Sequence, residues 1–219
     1  MAADTPSSSV CVSPPAETLE IKDGVVVHSK ITSKTFGTLE HGELPTIAAI
    51  VVHQTGGSTG AGTLSKYASD SVGAHFLVDE NGAIFQTARI NKRAYHVGQI
   101  KSRCWEKTSC SKEETKAVKD ILFEKGKPYA TRVQNLSAHE EKKPYPDRYP
   151  NNSDSIGIEV VGALNPKTNK YDDPTPVQNA SVQWLVGSLV KTFSLKVDDV
   201  YRHPVISYKQ ESEAQGVVW

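Results

Sequence analysis

No stretch of the 219-residue chain approaches the roughly 20 consecutive apolar residues that a membrane-spanning helix needs, so no membrane insertion is expected. Nor is either charge in excess: Lys+Arg and Asp+Glu number 25 each, and the formal net charge is zero. A nucleic-acid binder needs a basic face to displace counterions, and this balance argues against that class. Cysteine is scarce. Of the three, Cys11 lies in a Ser/Pro-rich tail, while Cys104 and Cys110 stand close together in RCWEKTSC. With no second pair nearby, a four-cysteine zinc site is not indicated. Cys104 and Cys110 are either two free thiols or a disulfide closing a short loop, and a bond implies an oxidising space. The opening segment, MAADTPSSSVCVSPPAE, lacks the basic start and apolar core of a secretory signal. The expectation is residence in the cytoplasm or export by a route that reads no such signal.

What is present suits one soluble domain. Apolar residues make up 37% and charged residues 23%, ordinary values for a globular chain. Residues 1–18 are rich in Ser, Pro and Ala and bury too little apolar surface to offset ordering, which predicts a disordered arm before a domain over 19–219. Asp23-Gly24 within LEIKDGVVVHSKI predicts a hairpin, and Asn81-Gly82 between Ala74–Val78 and Ala83–Thr87 predicts a second. The continuous run Ile47–Val52 suits a fully buried central strand. Thr63 is a candidate cap for a helix to about Asp70.

Residues 99–150 read as an insertion. Within it, Ser111–Glu114 fits a capping box for a helix stopping at Gly126, and the Pro/Tyr-rich KKPYPDRYPNN reads as a cleft rim. Ser155–Val161 is a further strand. Thr175-Pro176-Val177-Gln178 carries a cap, a proline and a capping-box glutamine, followed by Trp184, Leu185, Leu189 and Phe193 at near-helical spacing. Val177 belongs to the same apolar face. A short strand near Val200-Tyr201 follows. Strands alternating with helices give an α/β fold with a central mixed sheet flanked by helices.

Several residues carry chemistry in this frame. His53 ends the buried run, where open α/β sheets place their sites. His203 follows another strand, with Lys209, Glu211 and Glu213 behind it. Two imidazoles and a carboxylate form a common catalytic zinc set that leaves a position for water. Glu159 lies mid-strand, and period two puts it opposite Ile156, Ile158 and Val160. A carboxylate there needs a partner or a cleft, and Gly157 beside it leaves room for one. A buried carboxyl with a raised pKa suits a general base near neutral pH, although a structural ion pair is the plain alternative. His75 and His96 read as packed or groove-lining histidines.

Taken in order, Ile50–Thr55 with His53, Gly73–Val78 with Asn81-Gly82, Tyr95–Gly98, Asp154–Glu159 and Arg202-His203-Pro204 with Lys209 resemble the type 2 N-acetylmuramoyl-L-alanine amidases. That family shares its fold with peptidoglycan recognition proteins. The resemblance implies zinc held by His53, His203 and an acid. Spacing within one subgroup gives Glu213 and within another Glu211, and Glu213 is preferred. It implies Glu159 as the catalytic carboxylate, Lys209 as an oxyanion stabiliser, and His96, Thr55 and Tyr95 against the substrate. A tyrosine of phage-type members is replaced by Ala74, which favours the glutamate-dependent subgroup. The implied reaction is hydrolysis of the amide between N-acetylmuramic acid and L-alanine in peptidoglycan, by a monomer. A non-catalytic peptidoglycan-binding module on the same fold is the alternative. The insertion and missing signal resemble type VI secretion amidase effectors, which act in a rival's periplasm and are restrained by an immunity protein.

Overall fold

The computed structural model describes residues 15–219. Most of the expected arm lies outside them. From Glu17 onward the chain is tied to the last long helix: Glu17 N–H donates to Ser188 Oγ at 3.1 Å, and Trp184 Nε1–H donates to Glu17 Oε1 at 3.0 Å.

Strands β1 (Glu20–Lys22) and β2 (Val25–Val27) form the first hairpin. Its turn residues Asp23 and Gly24 have φ of 50° and 79°, the left-handed pair that a tight two-residue turn requires. Next come β3 (Ile31–Ser33), β4 (Ala49–Gly56), α1 (Gly60–Tyr67), β5 (Phe76–Val78) and β6 (Ile84–Gln86). Residues 99–150 hold α2 (Arg103–Glu106), α3 (Lys112–Leu122) and α4 (Tyr129–Glu140). The chain ends with β7 (Ser155–Asn165), β8 (Lys170–Tyr171), α5 (Pro176–Phe193), β9 (Val200–Arg202) and α6 (His203–Ile206).

The main sheet runs β3-β6-β5-β7-β4-β9, with β8 attached to β7. Along that path only the β5–β6 hairpin is antiparallel, so the sheet is mixed. Its centre is the parallel pair β4–β7, covered on both faces, which is why residues 49–54 are all buried. One face carries Ile50, Val52, Ile156, Ile158 and Val160 beneath Val182, Leu185 and Leu189 of α5. The other carries Ala49 and Val51 under Val97, Ile100, Tyr149 and Ile206. Among the described residues, no helix is long and apolar enough to cross a membrane.

Local chemistry explains the helix ends. Thr175 Oγ1 accepts from Gln178 N–H while Gln178 Oε1 accepts from Thr175 N–H, closing the expected capping box on α5. Val177 proves 40% exposed rather than part of the packed face. The cap of helix α1 lies four residues before the expected Thr63. Thr59 caps it, accepting from Gly62 N–H, and the weak helix formers Gly60 and Gly62 conceal that first turn.

Ser111 caps α3 as expected, but the helix stops at Leu122, before Gly126. Helix α4 has no counterpart in the sequence reading. It is pinned to α3 by Lys143 Nζ, which bridges Glu114 and Glu140 at 2.5 and 2.7 Å, and by His139 Nε2 at 2.8 Å from Glu114. The KKPYPDRYPNN loop stays away from the cleft that holds His203 and Glu213, and its Lys143, Pro146 and Asp147 line a separate groove beside Cys104 and Cys110. Tyr149 packs on Tyr201 in the core, and Arg148 bonds Asp154 at 2.7 Å. Cys104 and Cys110 are disulfide-bonded beside α2.

Candidate metal centre and cleft

Parallel strands deliver their carboxyl ends to one edge, and the candidate donors gather there. His53 lies near the end of β4, on the Val51 face. His203 directly follows β9, which pairs with β4 on the other side from β7. Glu213 enters from a turn-rich segment beyond α6. His53 Nδ1 and His203 Nδ1 lie 3.5 and 2.8 Å from Glu213 Oε1, and the three side chains are at most 6% exposed. Glu211, the alternative acid, is exposed to solvent and absent from this group.

The far side of each imidazole is also occupied. His203 Nε2 lies 2.7 Å from the Val97 carbonyl, which can only accept, so Nε2 carries the hydrogen. His96 Nε2 faces the Ser155 carbonyl at 3.3 Å and likewise carries one. His96 Nδ1 is then an acceptor, and His53 Nε2–H donates to it at 3.0 Å. These inferred tautomers leave both Nδ1 lone pairs aimed at a carboxylate oxygen with no hydrogen between them. Three acceptors at such distances repel unless a cation sits among them, and their nitrogen and oxygen atoms all lie within 4.8 Å of one another. The donor set therefore fits a divalent metal such as zinc.

Electrostatics agree. Burial, reinforced by His203, lowers the His53 pKa to about 4, which keeps its imidazole neutral at pH 7. Burial alone would raise Glu213, but when a proton takes the place of the cation between the rings and the acid, hydrogen bonds and charge from His203 and His53 outweigh it and hold the carboxyl at about 2. Neutral imidazole and ionised carboxylate are the forms that bind a metal.

Glu159 stands on β7 directly across from His53 in register. Burial, helped by the Glu213 charge and opposed by Lys209, raises its pKa to about 8. Its Oε2 is buried without a hydrogen-bond partner among the described residues. It lines a cleft of about 660 Å³ together with Thr55, His96, His203, Lys209 and Glu213. A carboxyl poised near neutrality beside a metal-ready trio can move protons for a hydrolysis.

A family model described as N-acetylmuramoyl-L-alanine amidase matches residues 43–215, a span that holds His53, Glu159, His203 and Glu213. The chain belongs to that amidase family. Peptidoglycan amidase activity is what membership carries. Among solved structures, a selenomethionine derivative of AmpD has a TM-score of 0.53 at 16% identity, covering 88% of this chain and 90% of that one. The N-acetylmuramoyl-L-alanine amidase LysC from Clostridium intestinale URNW gives 0.47 at 15% identity, covering 83% and 87%. A sequence search of curated proteins gives no match.

The amidase brings some expected residues together and leaves others apart. Thr55 lines the cleft, but its hydroxyl shapes the strand end, donating to Gly57 O at 3.0 Å and accepting from Gly162 N–H at 3.3 Å. His96 is buried with both ring nitrogens committed. Tyr95 is not among the cleft-lining residues; its ring stacks on His41 at 3.8 Å. Gly157 opens no cleft, because the space beside it is filled by His96 and Ala74. His75 is packed as expected, accepting from Gly157 N–H at 3.1 Å and reaching Lys92 O at 2.8 Å.

Two tyrosines of the cleft escaped sequence reasoning. Burial and the nearby acids raise the pKa of both phenols: Tyr67 well above the usual value, and Tyr171 to about 12. Tyr67 ends α1 and Tyr171 ends β8, so only tertiary folding brings them to Glu159.

Proposed function

We propose that this amidase uses zinc, held by His53, His203 and Glu213, to hydrolyse the bond between N-acetylmuramic acid and L-alanine in peptidoglycan. The observation that carries the reading is the convergence of two imidazole Nδ1 atoms on Glu213 Oε1, with Glu159 one strand away. The chemistry the ion supplies when bound is Lewis acidity, which polarises a carbonyl and acidifies water.

The chain's own groups do the rest. His96 and the Val97 carbonyl orient the two imidazoles. Glu159 Oε2 takes a proton from the water whose oxygen bonds to the amide carbon. The same carboxyl then gives that proton to the departing nitrogen as the C–N bond breaks. Lys209, at the cleft, offsets charge developing on the carbonyl oxygen. Mass spectrometry of digested muropeptides, run with metal analysis, tests this. Free stem peptides beginning at L-alanine, with about one zinc per chain, are expected. Cleavage of a glycosidic or peptide–peptide bond instead ends the reading.

The Cys104–Cys110 bond supports work in an oxidising space such as a target cell's periplasm. Together with the insertion, it supports delivery as an antibacterial effector acting as a monomer, with an immunity protein as inhibitor. Expression directed to the periplasm is then toxic and cytoplasmic expression tolerated. Equal tolerance of both would contradict this part.

A further inference from the structure

Glu213 lies in a turn-rich segment without regular backbone pairing, yet its position must be held for three donors to meet. The next residue supplies the hold. Ala214 has φ 57°, a left-handed conformation that is costly for a residue with a Cβ. Its peptide groups are gripped from two sides. Ala214 N–H donates to Gln54 Oε1 at 2.9 Å, and Ala214 O accepts from Arg202 Nε–H at 2.9 Å. Gln54 directly follows His53, and Arg202 directly precedes His203. The two strands that present the imidazoles thus each extend the neighbouring side chain to the residue after the acid.

Both grips are themselves anchored. Gln54 is 4% exposed, and its Nε2–H donates to Asp172 O at 2.9 Å. Gly162 makes room for that amide: a Cβ there would stand 2.4 Å from Gln54 Nε2. Arg202 Nη2–H donates to Val217 O at 2.7 Å, and its guanidinium lies 4.4 Å from the Trp219 ring centroid.

We infer that Gln54 and Arg202 are positioning residues that index Glu213 to the two histidines and so set metal affinity. The inference rests on Glu213 being a zinc ligand. Side chains that orient ligands typically change metal affinity by about 10- to 100-fold when lost. Gln54→Met keeps length, Arg202→Met keeps most of the aliphatic stem, and both remove the hydrogen bonds.

The test is zinc affinity, measured by competition with a chromophoric chelator, with circular dichroism of the metal-free proteins as the folding control. Each variant is expected to bind zinc on the order of 10- to 100-fold more weakly than wild type. In a Glu213→Ala background, Gln54→Met is expected to add no further loss, because the ligand it positions is gone. A general packing role would still weaken binding there, and that result overturns the proposal. So does wild-type affinity in either folded single variant. If Gln54→Met does not fold, Arg202→Met, whose side chain is only partly buried, decides on the same criterion. Wild-type protein that binds no zinc, or loses no affinity on Glu213→Ala, ends the ligand reading and this proposal together. Tight wild-type binding with unchanged single variants ends this proposal alone.

Discussion

His53 and Glu159 are register partners across the parallel pair β4–β7. Backbone hydrogen bonding, rather than side-chain contact, therefore fixes the spacing between the imidazole proposed to hold zinc and the carboxyl proposed to move protons. Neighbouring strands lie about 4.8 Å apart, close enough for one small reacting group to meet both side chains. That rigidity suits a site in which displacement of about 1 Å is costly.

Glu159→Gln keeps the size of the side chain and removes its basicity. Turnover on purified peptidoglycan is expected to fall by about 10²- to 10⁴-fold, the usual contribution of a positioned acid–base group. Zinc content, measured on the same samples, is expected to stay at the wild-type level. Full turnover in the variant would remove Glu159 from the chemistry.

The two site carboxyls make stability depend on pH in opposite windows in the metal-free protein. Glu213 has its folded pKa lowered from 4.5 to about 2. Its stabilising contribution is present above 4.5 and is lost as pH falls towards 2. Glu159 has its folded pKa raised from 4.5 to about 8. Its contribution is complete below 4.5 and is lost as pH rises through 8. Urea unfolding across this range should show Glu159→Gln losing less stability than wild type on the alkaline side. Parallel profiles for the two proteins would refute the raised carboxyl.

Replacing His96 with Phe removes the acceptor for His53 Nε2–H. Zinc affinity is expected to drop by about 10-fold or more, while KM for the wall fragment stays near wild type in the zinc-saturated enzyme. A rise in KM with unchanged zinc affinity would return His96 to the substrate-contact role that its motif suggests.

Gly157→Ala tests how tightly the histidine cluster is packed. The new Cβ would lie 2.8 Å from His96 Cγ and 2.9 Å from Ala74 Cβ, both closer than van der Waals contact. Overpacking of this kind costs roughly 1–3 kcal/mol, readable as a lower denaturation midpoint. An unchanged midpoint would mean that the His96 ring moves aside freely.

The sequence makes legible whatever depends on neighbours along the chain. Asp23-Gly24 and Asn81-Gly82 specify turns through their own backbone freedom, Thr175–Gln178 closes a cap within one helical turn, and the run through Val52 needs burial on both faces. His53 and His203 stand out because each follows such a strand. Glu159 stands out because a carboxylate amid isoleucines and valines is expensive. The rest depends on distant packing. Nothing local to Tyr67 or Tyr171 marks them as cleft residues. Helix α4 is stabilised by partners on α3 and shows no strong periodicity of its own. Tyr95 adjoins His96 in sequence, yet its ring stacks on His41, a partner that only tertiary folding supplies.

His53 lies far along the chain from His203 and Glu213, so a fragment that ends before β9 lacks two of the three donors. A nascent polypeptide folded through β4, β5 and even β7 would hold the proton-moving carboxyl and one imidazole, with nothing opposite to share a cation. The set is complete only once the segment after β9 brings Glu213 to the sheet edge beside His53 and His203.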